Sequence, residues 1–200
     1  KAEILAFVLD DLTQALGKLP VEPPSRAYVG EFTVRAMLAK YYLYQKDFAK
    51  AEQYATDVIN SGQYTLEEKF ETLVKEDFTD EAILEVGYTL SDDPGTNGNI
   101  GLNNLFVGRR EIIPSNQAVV ALASTESGDR FSSISFNVNQ LKGNDNGWSV
   151  AKYGTADQDN NNVVALRLGE LYLIRAEARA QQNKVTGAGG AQEDINMLRV

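Results

Sequence analysis

Two residue types are missing from this 200-residue chain, which contains no cysteine and no histidine. Without cysteine, disulfides, thiolate metal sites and cysteine nucleophiles are excluded. Without histidine, Ser-His-Asp and Cys-His arrangements and most zinc sites are excluded as well, because imidazole is the usual general base and metal ligand near neutral pH. The sequence therefore predicts a protein that is not an enzyme and that holds no cofactor or metal.

Basic residues and long apolar runs are also scarce. The 28 Asp and Glu residues outnumber the 19 Lys and Arg residues and give a formal net charge of −9. This charge argues against nucleic-acid partners, since phosphate binding requires a basic surface. No apolar run approaches the ~20 residues that a membrane helix needs. The opening KAEILAFVLDD lacks the features of a signal peptide. A chain whose leader has been removed, or one that starts within a longer protein, would lack them too.

The strongest helical pattern lies in residues 167–182, followed by a glycine-rich turn. Its apolar residues recur at three- and four-residue steps and share one helical face. They are Leu168, Leu171, Ile174 and Ala178. A second helix is predicted in residues 191–200, with Ile195 and Leu198 on its apolar side. We therefore predict a helical hairpin that packs through these apolar residues.

The charged residues of the first of these helices are spaced to form ion pairs. Arg167 and Glu170 lie three residues apart and are expected to pair with each other. Arg175 and Arg179 are expected to pair with acidic neighbours. Such surface pairs contribute only about 0.2–0.5 kcal/mol each.

A second helical hairpin is predicted near the N-terminus, after an amphipathic helix in residues 1–19. In that first helix Ile4, Val8 and Leu12 form one apolar row, and a parallel row lies beside it in Leu5, Leu9 and Leu16. The next helix begins near residue 31 because a glycine precedes it. An N-cap at residue 47 opens the following helix. Residues 27–61 match the ~34-residue length of one tetratricopeptide repeat, whose small and aromatic residues serve either as core or as a concave partner surface.

Residues 66–162 have a different character from these helical regions. A short strand is predicted at 81–86, a polar loop at 91–105, a short helix opened by Ser115, and a turn leading into a strand at 143–153. This insertion is too long and irregular to be a simple connector. Long loops on a rigid scaffold are where binding residues tend to lie.

The chain has a single tryptophan, Trp148, which follows Asp145 and Asn146 closely. A flat aromatic ring beside hydrogen-bonding groups suits a sugar, whose apolar face stacks on the ring while its hydroxyls meet amides and carboxylates. Burying ~100 Å² in this way contributes roughly 2–3 kcal/mol, so single sites of this kind are weak and usually multiplied. The alternative interpretation is that Trp148 anchors its loop to the core.

Residues 157–161, with the sequence DQDNN, imitate the start of a calcium-binding loop. The sixth position requires glycine but holds Asn162, and the twelfth requires glutamate but holds Leu168. We therefore interpret this segment as a solvated polar loop.

Several of these stretches also occur, in the same order, in a known family. They are residues 4–20 (ILAFVLDDLTQALGKLP), 36–66, 81–86 (EAILEV), 127–131 (SGDRF), 166–178 (LRLGELYLIRAEA) and 195–199 (INMLR). On these motifs the chain resembles the SusD/RagB family of outer-membrane nutrient-binding lipoproteins. Gly169 departs from the family, which usually has alanine there. The lipidated cysteine, the first portion and the part beyond INMLR are absent, so the chain resembles a central piece of a longer protein or a shortened relative.

The resemblance implies a mainly α-helical fold of tetratricopeptide-like hairpins with a loop-rich insertion containing short β-strands. We expect one SusD-like domain over 1–200, with a first hairpin within 1–65, the insertion in 66–162 and a second hairpin in 163–200. Aromatic ligand contacts of relatives fall in about 85–155. The candidate ligand-binding residues are therefore Trp148, Asn146, Asp145, Tyr88 and Phe106.

The function implied by the resemblance is non-catalytic binding of glycans or other nutrients on the extracellular face of the outer membrane. Delivery to a SusC-like TonB-dependent transporter is implied too, as is anchoring through an N-terminal lipid that is not present in this chain. The alternative is a tetratricopeptide-type protein-interaction module without a small ligand of its own. A hydrolase is poorly supported because histidine is missing.

Overall fold

The computed structural model describes residues 2–87, 104–153 and 162–199, which form two compact units. Among the described residues, unit 1 comprises 2–66, 80–86 and 164–199, and unit 2 comprises 67–79, 87, 104–153 and 162–163. Seven α-helices and four short strands occur in this described part of the chain. In chain order they are α1 Ala2–Ala15, α2 Glu31–Tyr44, α3 Phe48–Ile59, α4 Phe70–Lys75, β1 Ala82–Val86, α5 Asn116–Leu122, β2 Ile134–Phe136, β3 Trp148–Val150, β4 Val163–Arg167, α6 Leu168–Gln181 and α7 Ala191–Met197. The predicted mainly α fold, with helical hairpins and short strands in the insertion, is confirmed.

The core of unit 1 is formed where α6 packs against α2 and α3. Leu38 and Leu171 are completely inaccessible to solvent, and burying each side chain contributes about 1.5–3 kcal/mol. Alanines with no exposed surface occur at the helix contacts, where small side chains let the backbones approach closely. They are Ala36, Ala39, Ala51, Ala55 and Ala178. The apolar face predicted for 167–182 is confirmed, since its four residues are all buried.

Local signals fix the ends of the α2–α3 hairpin as the sequence predicts. Helix α2 begins at Glu31 because Gly30 is extended and its N–H donates to Thr33 Oγ1 at 3.2 Å. The Asp47 carboxylate accepts a hydrogen bond from the Lys50 N–H at 3.2 Å and so caps α3. A hydrogen bond from the Lys50 side chain, supported by this backbone bond, lowers the pKa of Asp47. The hairpin therefore rests on caps that can be recognised without tertiary information.

Only part of the first apolar row predicted for α1 packs against the core. Ile4 is 67% exposed and Val8 38% exposed, whereas Leu9, Leu12 and Leu16 pack against the core. Both rows are apolar in the sequence, and periodicity alone does not distinguish them. The contact with α2 determines which residues of the two rows are covered.

The predicted pair of Arg167 with Glu170 is also wrong. Residues Val163–Arg167 form strand β4, which pairs with β1 and which the sequence analysis did not assign. Arg167 Nη1 lies 2.7 Å from Glu81 Oε1, and Glu170 Oε1 accepts a hydrogen bond from Lys40 Nζ at 2.7 Å. Arg167 is extended and precedes α6, and its side chain reaches Glu81 rather than Glu170.

The Arg167–Glu81 pair explains the glycine at residue 169. A Cβ atom there would come within 2.8 Å of Glu81 Oε1 and even closer to the Arg167 guanidinium. The ion pair therefore lies directly over the first turn of α6. An alanine at this position would have to displace the buried Glu81 carboxylate.

The contact between α6 and α7 is ionic rather than apolar, which corrects the expected packing. Ile195 is 37% exposed, whereas Asp194 is buried with 1% exposure. The Asp194 carboxylate accepts hydrogen bonds from Arg175 Nη2 at 2.6 Å and from Arg179 Nη1 at 2.9 Å. Both arginines thus find the acidic partner that was predicted, but it is buried, so losing it would leave two buried cations without that partner.

Unit 2 contains α4, α5 and an antiparallel pair formed by β2 and β3. The predicted helix cap is confirmed, since Ser115 Oγ accepts a hydrogen bond from the Ala118 N–H at 3.1 Å. In the strand pair, Ile134 lies opposite Val150 and Phe136 opposite Trp148. The predicted turn into a strand at Trp148 is confirmed.

Candidate functional site

The Trp148 ring contacts two phenylalanine rings on unit 2. Trp148 lies 5.7 Å from Phe131 between ring centroids, at an interplanar angle of 65°, and 5.2 Å from Phe136 at 51°. Phe131 is 40% exposed and Phe136 52% exposed, while Trp148 is half-buried between them. We call these three residues the aromatic platform. Large apolar rings in such contact and exposed to solvent are typical of a binding surface.

The β2–β3 pair brings two of the rings together. Phe136 and Trp148 are direct partners across the strands, so their side chains emerge on the same face. Gly147 precedes Trp148 with a φ of +78°, which favours glycine. A Cβ atom at Gly147 would lie 2.6 Å from Phe136 Cε2. The missing side chain therefore lets the Phe136 ring lie against the backbone beside Trp148.

Arg110 binds the turn before β3 and β3 itself. Its guanidinium donates to Asp145 through Nε at 3.0 Å and through Nη2 at 2.6 Å. Nη2 also donates to the Trp148 carbonyl oxygen at 2.9 Å, and Nη1 donates to Ser149 Oγ. The Arg110 side chain is only 8% exposed. One buried cation thus binds the turn and the strand that carry the tryptophan.

Asp145 and Asn146, two of the predicted ligand contacts, make hydrogen bonds within the protein. Asp145 Oδ1 accepts a second hydrogen bond from the Gly147 N–H at 2.8 Å, and the Arg110 bond lowers the pKa of Asp145. Asn146 Nδ2 donates to Pro114 O at 2.8 Å, and Asn146 Oδ1 accepts from the Trp148 N–H at 3.1 Å. These side chains shape the loop that presents Trp148. Their role as ligand contacts stays a prediction.

The remaining predicted residues are not part of the platform. Phe106 stacks on Tyr153 at 5.5 Å, with an interplanar angle of 18°. Lys152 Nζ lies 5.3 Å from the Tyr153 ring and 5.6 Å from the Phe70 ring. Tyr88 lies outside the described residues, so its predicted role cannot be placed on either cluster.

The structure gives no support for metal binding in the part of the chain that it describes. No group of three or more acidic side chains suited to a metal ion occurs there. The calcium-like segment 157–161 falls outside the described residues. None of the described helices combines the length and apolar character needed to cross a bilayer.

Sequence reasoning missed three residues of this region, namely Phe131, Phe136 and Arg110. Residues 131–138 alternate loosely between apolar and polar side chains, and this pattern, with the strand predicted in 143–153, is a signal that the two segments could pair. No local signal relates Arg110 to Asp145, because 35 residues separate them. Their proximity depends on the fold of unit 2.

Comparison with known proteins agrees with this architecture. The model of the SusD family matches residues 122–200. A SusD superfamily protein from Bacteroides thetaiotaomicron VPI-5482 is similar with a TM-score of 0.81 and 25% identity, over 99% of this chain and 47% of that chain. No curated protein sequence matches.

Two further solved structures share the fold. A laminarin-binding SusD-like protein has a TM-score of 0.76 and 22% identity, over 99% of this chain and 53% of that chain. Surface glycan-binding protein A from Bacteroides uniformis has a TM-score of 0.74 and 21% identity, over 99% and 48%. The chain therefore spans about half the length of these relatives. The resemblance to the SusD family predicted from the motifs is confirmed.

Proposed function

We propose that this chain is a non-catalytic glycan-binding protein and that the aromatic platform contacts the glycan. The observation that supports this proposal is the cluster of Phe131, Phe136 and Trp148, in which the two phenylalanines are 40% and 52% exposed. Exposed rings in contact form an apolar surface that a ligand can cover. A sugar satisfies them because its apolar face stacks on a ring while its hydroxyls remain solvated.

The structure supports a division of roles among the three rings. Phe136 and Phe131 are the more exposed rings and offer the contact surface. Trp148 lies between them, half-buried, and sets their spacing. Stacking that buries ~100 Å² contributes roughly 2–3 kcal/mol, so two adjacent rings suit a ligand of several sugar units.

The absence of histidine and cysteine supports binding without turnover. The description of one structural relative as laminarin-binding and of another as glycan-binding supports a glycan ligand here. Laminarin is therefore the first probe, followed by a panel of soluble neutral and acidic polysaccharides.

We further propose that the protein acts at the cell surface, attached to the outer membrane by an N-terminal lipid outside this chain, and delivers glycan to a SusC-like TonB-dependent transporter. This proposal rests on the resemblance to the SusD family. The complete reading frame should contain a cysteine directly after a signal peptide. Affinity purification from the native membrane should recover the transporter. If the reading frame lacks the cysteine and no transporter is recovered, this part of the proposal is contradicted.

The experiment is a fluorescence titration, because the single tryptophan reports on the platform itself. Laminarin or another polysaccharide of the panel should change the emission of Trp148. Phe136→Ala and Trp148→Ala, followed by calorimetry, should each weaken binding by roughly 30- to 160-fold, the equivalent of about 2–3 kcal/mol. The matched control is Tyr44→Ala, which removes a ring that is 73% exposed in unit 1 and should leave the affinity unchanged.

The outcomes distinguish this function from its alternative. Unchanged affinity in Phe136→Ala and Trp148→Ala would remove the platform from the binding site. Failure of the unmodified protein to bind any glycan of the panel, together with recovery of a protein partner through unit 1, would favour the tetratricopeptide-type interaction module. The helical hairpin α2–α3 is the observation that keeps this alternative open.

A further inference from the structure

Arg110 occupies an unusual position for a cation beside an exposed surface. Its side chain is 8% exposed, and its backbone has a φ of +53°, a conformation that non-glycine residues adopt rarely and at a cost. A buried charge and a left-handed backbone are each unfavourable unless the surrounding contacts stabilise them. The contacts that do so all come from the segment that carries Trp148.

Those contacts join Arg110 to three residues of the turn before β3 and of β3. The carboxylate of Asp145 receives two parallel hydrogen bonds, at 3.0 Å from Nε and at 2.6 Å from Nη2. The Trp148 carbonyl oxygen receives one at 2.9 Å, and the Ser149 hydroxyl receives another. Asp145 lies in the turn before β3, and Ser149 lies within the strand with 5% exposure. The guanidinium therefore determines the angle between turn and strand.

The planar guanidinium is the group suited to this arrangement. Its donors point in fixed directions, which permits two parallel bonds to a carboxylate and further bonds to neighbouring acceptors. A lysine ammonium is a point charge that cannot fix the relative orientation of three acceptors. The hydrogen bond from Arg110 lowers the pKa of Asp145, so the carboxylate is ionised at neutral pH.

We propose that Arg110 is a positioning residue for glycan binding, one that orients Trp148 and thereby Phe136 without touching the ligand. This inference rests on the proposed function of the aromatic platform. Its route of action is short, because Arg110 binds the carbonyl of Trp148 and the ring of Trp148 contacts Phe136 at 5.2 Å. All three guanidinium nitrogens of Arg110 donate within the protein, and its side chain is only 8% exposed.

The test compares Arg110→Gln and Arg110→Lys with the matched control Arg109→Gln. Arg109 is the adjacent cation, its side chain is 43% exposed, and it pairs with Glu111 at the surface. Each variant is first shown to be folded by far-UV circular dichroism. Laminarin affinity, Trp148 emission and quenching of Trp148 by acrylamide are then measured at the same temperature.

Arg110→Gln should weaken laminarin binding about tenfold or more, shift the Trp148 emission to longer wavelength and increase its quenching. Arg110→Lys should recover part of the affinity, and Arg109→Gln should match the unmodified protein. Unmodified affinity and emission in Arg110→Gln would overturn the proposal. A loss of affinity with unaltered emission and quenching would overturn it too, because Arg110 would then contact the ligand directly.

A second variant keeps the test decisive if Arg110→Gln does not fold. Ser149→Ala removes one acceptor of Arg110 and should give a smaller change in the same direction for affinity and emission, whereas no change in either contradicts the proposal. If the unmodified protein binds neither laminarin nor the other polysaccharides, the proposed function fails. The emission and quenching measurements then still decide whether Arg110 positions Trp148.

Discussion

Replacement of Asp194 by asparagine should strongly destabilise unit 1. The Asp194 carboxylate is 1% exposed and accepts hydrogen bonds from Arg175 Nε at 3.1 Å, from Arg175 Nη2 at 2.6 Å and from Arg179 Nη1 at 2.9 Å. The substitution preserves the shape of the side chain but removes its charge. It also replaces one acceptor oxygen with an amide nitrogen, a donor that would face the guanidinium donors.

The magnitude follows from the burial of both arginines. The side chains of Arg175 and Arg179 are 11% and 12% exposed, so neither can regain full hydration when its partner is lost. Removing one member of a buried ion pair costs about 3–5 kcal/mol. For a chain of this size the midpoint of thermal unfolding should fall by roughly 6–20 °C. Arg179 retains Glu52 at 3.0 Å, which favours the lower half of this range.

The assay is denaturant and thermal unfolding followed by circular dichroism, with Glu193→Gln as the matched control. Glu193 is the adjacent residue of α7, is exposed, and accepts a hydrogen bond from the Gly189 N–H that glutamine can also accept. Its substitution removes the same charge and should change stability by less than about 0.5 kcal/mol. Equal small effects for Asp194→Asn and Glu193→Gln would refute the assignment of Asp194 as the ionic contact between α6 and α7.

Two further predictions concern the platform and the response to acid. Gly147→Ala should separate Phe136 from Trp148, because the new Cβ would lie 2.6 Å from the Phe136 ring, and the φ of +78° at this position also disfavours alanine. Weaker glycan binding and altered Trp148 emission are the expected results. Unchanged emission would contradict the prediction. Burial raises the pKa of Glu52, but hydrogen bonds from a lysine, an arginine and a glutamine outweigh it and lower the pKa below its ordinary value of 4.5. Ionised Glu52 therefore stabilises the folded state at pH values above 4.5. This contribution is lost as the pH falls through the lower pKa of the folded state. The difference in unfolding free energy between the unmodified protein and Glu52→Gln should be constant from neutral pH to about pH 5 and shrink in stronger acid; a difference that grows in acid would contradict the lowered pKa.

Much of the helical scaffold can be predicted because its signals are local. The face of α6 is visible as a three- and four-residue repeat, and the caps at Asp47 and Ser115 are read from the residue type and the helix that follows. The position of Trp148 in a turn and strand is likewise local. These features depend on residues within a few positions of one another, so the order of the amino acids specifies them directly.

The partners of charged residues cannot be predicted in this way. Arg167 pairs with Glu81, which lies 86 residues away, and Lys40 pairs with Glu170, which lies 130 residues away. A sequence offers several acidic neighbours to each cation, and local spacing favours the wrong one for Arg167. Burial then changes the energy of the interaction. Losing the buried Asp194 carboxylate is costly, whereas losing one of the surface pairs that spacing alone implies costs little.

The sequence by itself determined that this protein is built from helical hairpins around an irregular insertion, and its ordered motifs determined the resemblance to the SusD family. Only the tertiary structure decided which residues of the two rows of α1 are covered, and that Asp145 and Asn146 shape a loop within the protein. It also decided that Phe131 and Phe136 join Trp148 in one surface. The physical reason is that helix periodicity and capping act over a few residues, whereas the partners of a ring or a guanidinium depend on which distant strands meet.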